Sequence, residues 1–188
     1  MQPASKRVAE LLEKKISQIA VVKMTEFIAQ LARVLKMSDD QSAEAFADIL
    51  EDPQAFDVHY FSLVGLRILA EQGKLSGSKA AQQARVLLEA TISIALQMGT
   101  DEWWVSIDAV SHTSETAVAL LEFTEHRLLG KRDIREWRWL AFTAVGTVMG
   151  QTSVVIPQSL KNKLKYEVSL ESDVMRKQQM QVLIDMLP

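Results

Sequence analysis

Five cations crowd one short stretch of the chain. Arg127, Lys131, Arg132, Arg135 and Arg138 fall within 12 residues and are interleaved with Trp137 and Trp139. An arginine fork matches phosphate geometry and an indole stacks on bases, so this pattern is a candidate nucleic-acid interface. Asp133 and Glu136 lie inside the cluster, and Glu122 and Glu125 just before it. Internal ion pairing or a protein interface is therefore the competing reading, and the two tryptophans, set in an apolar helix, read as core. A second aromatic pair, Trp103-Trp104, follows a helix start at Thr100 or Asp101. Adjacent residues on a helix point about 100° apart, so one can be buried while the other is exposed. Exposed Trp and Arg anchor many interfaces, which makes both tryptophans candidate partner-binding residues beside the simpler reading that they fill a gap between hairpins.

The opposite sign dominates earlier. From Met37 to Leu66 there is no Lys or Arg, while Asp39, Asp40, Glu44, Asp48, Glu51, Asp52 and Asp57 are present. Glu44, Asp48 and Asp52 step down one helix face at i, i+4. Like charges so placed repel by about 0.2–0.5 kcal/mol per pair, a cost that a basic partner would relieve. They form a candidate acidic partner face, against the plain alternative of a solvated helix surface.

Catalytic and metal chemistry has little to work with. The three histidines are His59, His112 and His126, and none is preceded by Glu at i−3 or paired with another His at i+4. That removes the carboxylate-bridged di-iron pattern and the zinc protease pattern. Asp108–His112 and Glu122–His126 each sit one turn apart and could converge on a metal or small ligand, or form local ion pairs. Phosphate-cradling glycine loops and the Gly-x-Ser-x-Gly elbow are absent. So is an Arg four to six residues before a His, the signature of the helical HEPN ribonucleases. Without cysteine there are no disulfides, thiolate metal sites or thiol nucleophiles. No catalytic residue, cofactor or resident metal is expected.

The elements that must position these residues read as helices throughout. Residues 4–36 carry apolar positions, with i, i+3, i+4, i+7 spacing clearest from Met24 to Leu35. Ser38 with Asp39 and Asp40 opens a helix ended by Pro53. Asp57 opens the next, over Val58–Gln72, closed by Gly73. Further helices run from Ser76 or Ser78 to Met98, from Thr100 or Asp101 to about Ser111, from Thr113 or Ser114 to Gly130, and from Asp133 to Met149, closed by Gly150. Residues 151–156 read as extended. Pro157 starts a helix to about Tyr166, and a last one covers about Leu170–Met186. The stretch Asp133–Gly146 resembles the second helix of a HEAT repeat: an acidic start, Arg138 five residues on, small residues Ala141 and Ala144, then Val145 and Gly146. It covers 14 residues, and no second copy follows at a fixed period. The expected fold is all-α, a compact antiparallel helical bundle or short stack of helical hairpins with about eight helices, weakly HEAT-like over 133–149, forming one domain over 1–188.

Composition agrees. Hydrophobic residues make up 48% of 188, ample for a core, and the net charge of −3 divides evenly between the two halves, so no whole-chain basic footprint exists. The longest uncharged run, Trp139–Leu160, contains Gly146 and Gly150 in GxxxG spacing, but its polar residues and Pro157 favour a buried helix over a membrane span. With charges punctuating the N-terminus, the chain reads as soluble and cytoplasmic. The leading functional expectation is a non-catalytic protein–protein interaction module, an adaptor or subunit of an assembly. A nucleic-acid-associated subunit using 127–138 and a ligand- or metal-binding bundle around His112 and His126 are the alternatives, and homo-oligomerisation stays open.

Overall fold

The computed structural model describes residues 36–51, 56–75, 77–98, 101–129 and 135–187. Among these residues eight α-helices follow one another: α1 Asp39–Glu51, α2 Phe56–Glu71, α3 Ala80–Met98, α4 Asp101–Val110, α5 Ser114–Phe123, α6 Arg135–Gln151, α7 Gln158–Leu170 and α8 Val174–Met186. A 3₁₀ turn, Gly77–Lys79, leads into α3, and a π turn, Thr124–Leu128, extends α5. No strand occurs among the described residues. The helix expected before Ser38, the caps Gly99 and Gly130, and Asp133 lie outside them.

Local chemistry explains most boundaries. Ser38 and Gln41 form a reciprocal capping box: Ser38 N–H donates to Gln41 Oε1 at 3.2 Å, and Gln41 N–H to Ser38 Oγ at 3.4 Å. Thr113 caps α5 and Asp173 caps α8, accepting from Thr116 N–H at 3.3 Å and Arg176 N–H at 3.0 Å. Gly73 closes α2 with φ +67. Around it Lys74 N–H reaches Leu69 O and Gly73 N–H reaches Ala70 O, both at 2.9 Å, the Schellman pattern that a left-handed residue permits.

Three expected boundaries are corrected. Helix α2 begins at Phe56, ahead of the expected cap at Asp57. Gly150 does not close α6; the helix passes through it to Gln151, and Thr152 N–H still donates to Val148 O at 2.9 Å. Residues 152–157 then run without helix, and Pro157 keeps Ile156 out of helical geometry before α7. Finally α7 continues to Leu170, past Tyr166, because the restart is set by the Asp173 cap.

Each helix packs mainly on helices adjacent or next-but-one in sequence. This sorts them into two layers. The odd layer joins α1 to α3 and α3 to α5; the even layer joins α2 to α4, α4 to α6 and α6 to α8. One continuous core lies between, running from Ala43 on α1 to Ile184 on α8, with Leu66, Leu87, Trp103, Leu120 and Leu164 fully covered. Gly65 allows α1 to lie close on α2: a Cβ there would stand 2.4 Å from Phe46 Cζ. Ala141 and Ala144, the small residues of the HEAT-like stretch, are fully buried in α6. The uncharged run from Trp139 is divided among α6, the extended link 152–157 and α7. No helix among the described residues is long and apolar enough to cross a membrane.

Candidate functional site

Two cations of the basic cluster, Arg127 and Arg138, are paired with carboxylates. Arg127 sits on the π turn, where Leu129 N–H donates to Thr124 O at 3.0 Å in the i→i+5 pattern. Its fork grips Glu89 of α3, with Nε at 2.6 Å from Oε1 and Nη2 at 2.8 Å from Oε2. These hydrogen bonds, and next the negative charge of Glu89, raise the guanidinium pKa above its ordinary value. Arg138 is largely buried on α6, its Nε 3.8 Å from Oε2 of the buried Glu167 on α7, an ion pair longer than a hydrogen bond. Trp137 is buried and Trp139 half-buried, as core residues. Lys131 and Arg132 lie outside the described residues, and Arg135 is the first residue of α6.

The acidic face is partly neutralised as well. Glu44 pairs with Lys79, and Asp39 with Lys74 at 2.7 Å. Asp48 is exposed, and Asp52 lies outside the described residues. Of the adjacent tryptophans, Trp103 is fully buried against Phe123, with ring centroids 6.1 Å apart, so it is corrected from partner anchor to core. Its neighbour Trp104 is 41% exposed.

The histidine pairs do not converge. His112 Nε2 is 3.9 Å from Asp108 Oδ2, but Asp108 Oδ1 also accepts from Gln151 of α6 at 2.7 Å. Glu122, expected opposite His126, instead pairs with Arg85 of α3. Among the described residues no three His, Asp or Glu side chains are placed to hold a metal ion.

The outer face of the even layer carries apolar residues of its own. Helix α8 has two apolar faces. Met180 and Ile184 are buried inward, whereas Met175, Val182 and Met186 are 72, 59 and 65% exposed. These three stand at i, i+7, i+11, with Gln178, Gln179 and the exposed Asp185 between them on that side. Beside them, the outward side of α6 carries small residues: Thr143, Gly146 and Thr147 half-buried, and Gly150 exposed. Thr143 Oγ1 donates back to Trp139 O at 3.1 Å, and Thr147 Oγ1 to Thr143 O at 3.0 Å. With their hydroxyls satisfied on their own helix, both threonines can present methyl groups outward. Exposed Trp104 on α4 and exposed Met175, Val182 and Met186 on α8 thus belong to two helices that both pack on α6, where Leu183 of α8 covers Gly146.

A charge asymmetry accompanies this. Residues 37–126 contain four Lys/Arg against fifteen Asp/Glu, and residues 127–188 contain ten against six. Division at the chain midpoint conceals it.

No family model, curated protein or solved structure matches this chain.

Proposed function

We propose that this protein is a non-catalytic interaction module, an adaptor or subunit that binds other polypeptides through the outer face of its even layer. The observation that supports this most directly is the second apolar face of α8. A helix that needed only to complete its own core would leave polar residues where Met175, Val182 and Met186 stand. Methionine makes adaptable contacts suited to such a surface, and Trp104 on α4 adds a large anchor nearby. Arg127 and Arg138, whose charge a nucleic acid would have to recruit, are already paired with carboxylates.

The test is native co-purification of the wild type and of the triple variant Met175→Gln, Val182→Gln, Met186→Gln, each with and without nuclease. A stoichiometric protein partner that survives nuclease and disappears with the variant is expected. Partners that vanish with nuclease, or that bind the variant equally, would remove this reading.

A further inference from the structure

Helix α4 ends in charge of the wrong sign for a helix end. We infer that its exposed side, centred on Trp104 and Asp108, receives an arginine-bearing basic segment of a partner polypeptide. The inference rests on the interaction-module reading and gives the partner its chemistry.

Between Arg85 and Arg127 the chain has no Lys or Arg and seven Asp/Glu. Three of the seven hold cations from other elements: Glu89 with Arg127, Glu122 with Arg85, and Glu125 with Lys163. The remaining four, Asp101, Glu102, Asp108 and Glu115, lie on α4 and the first turn of α5.

Asp108 is the informative one. It stands in the last turn of α4, which ends at Val110. The C-terminal end of a helix carries partial negative charge, so a carboxylate there is disfavoured and a cation is favoured. The hydrogen bond from Gln151 at 2.7 Å brings the last turn of α6 beside it, and neither helix has a basic residue in its last turn. Two negative helix ends and a carboxylate thus converge. Asp108 Oδ1 accepts from the neutral amide of Gln151, while Oδ2 faces the ring of His112 at 3.9 Å, beyond hydrogen-bond reach. The Asp108 side chain is 57% exposed. The acids that open α1 differ: Asp39 and Asp40 sit in a first turn, where the dipole favours them, and Asp39 already holds Lys74.

Trp104 supplies the second element. It lies one turn before Asp108 on the same side of α4, so the two Cβ atoms are about 5–6 Å apart. The indole is 41% exposed and Val105 beside it 48%, whereas every other residue from Trp103 to Val110, apart from Asp108, is buried. A guanidinium is planar. It can lie on the indole face and turn an N–H edge to the carboxylate one turn on. A lysine ammonium, a compact point charge, makes those two contacts less well together. A nucleic acid has the wrong sign for this surface, and a purely apolar partner would cover Asp108 without supplying a cation.

Proton–nitrogen correlation NMR of the full chain, titrated at low salt with hexa-arginine, hexalysine or hexaglutamate, tests this. Hexa-arginine should shift the Trp104 indole N–H and the amides of the last turns of α4 and α6. Hexalysine should bind about threefold more weakly or worse, and hexaglutamate should not bind. Trp104→Ala and Asp108→Asn should each weaken hexa-arginine by about threefold or more, with wild-type helical circular dichroism. The second variant keeps the shape of the side chain and an acceptor for Gln151. Asp48→Asn, which removes an exposed acid on α1, should leave the titration unchanged. No shift with hexa-arginine, shifts centred on α1, or an affinity indifferent to both Trp104→Ala and Asp108→Asn overturns the inference. Native co-purification with the same two variants separates it from the wider reading. A protein partner retained by both but lost with the triple variant of α8 leaves the interaction module standing and removes only the basic segment on α4.

Discussion

The two layers of the molecule treat charge in opposite ways. Along the odd layer, seams are stitched by ion pairs: Glu44 with Lys79 across α1 and the turn before α3, Arg85 with Glu122 and Glu89 with Arg127 across α3 and the end of α5, and Lys163 with Glu125 at 3.2 Å from α7 to the π turn. On the even layer the side-chain bond at an outer seam is Asp108 with Gln151, and what projects beyond it is Trp104, Met175, Val182 and Met186. Dense surface charge is therefore a poor guide to binding in this protein. Much of the charge along the odd layer is satisfied internally, while α8 on the even layer leaves apolar surface open beside its own charges.

The contrast can be tested in order of expected effect. The largest concerns packing between the layers. Gly65→Leu drives a side chain into the Phe46 ring and should cost about 3 kcal/mol or more, lowering the melting temperature by roughly 6–12 °C. Phe46→Ala in the same chain should recover part of that loss, and a wild-type melt for Gly65→Leu alone would contradict the close α1–α2 approach. Next, the two arginines should separate by burial. Arg138→Leu leaves Glu167 buried without its cation, at about 3 kcal/mol, whereas Arg127→Leu removes an exposed pair worth under about 1 kcal/mol. Equal losses in urea unfolding would dissolve the distinction.

The Arg127 pair also carries a pH sign. A cation whose folded pKa is raised stabilises fully below its unfolded value and loses that contribution only as pH rises through the folded one, here above the ordinary guanidinium range. Between pH 7 and 10 the stability difference between wild type and Arg127→Leu should accordingly stay flat, and a slope there would mean that the guanidinium is not the group responsible. The smallest effects belong to the outer face of α8. Val182→Ala and Met186→Ala should each shift stability by less than about 0.5 kcal/mol, while Ile184→Ala, one helix face away, should cost about 2–4 kcal/mol. Similar losses at all three positions would mean that the exposed stripe is part of the fold and not a binding surface.

Among the described residues, helix order and most helix ends were determined by the sequence itself, because their causes act within a few residues. Ser38 and Gln41 cap each other across three positions, and Gly73 supplies a left-handed turn where α2 must stop. Where sequence reading misplaced an end, as at Gly150 and Tyr166, no side-chain cap fixed the boundary and the helix ran on by one to four residues. The alternation that buries one of Trp103 and Trp104 was also legible, but which of the two is buried depends on the side of α4 that meets α3 and α5. Only the tertiary structure decided the partners of Arg85, Glu89 and Glu44, which sit 35 to 38 residues away in the chain. Spacing rules reach one helical turn and see nothing at that range. The same holds for the outer face of the even layer. The glycines of α6 and the methionines of α8 are plain in the sequence, yet only packing sets Leu183 against Gly146 and leaves Met175, Val182 and Met186 on the outside.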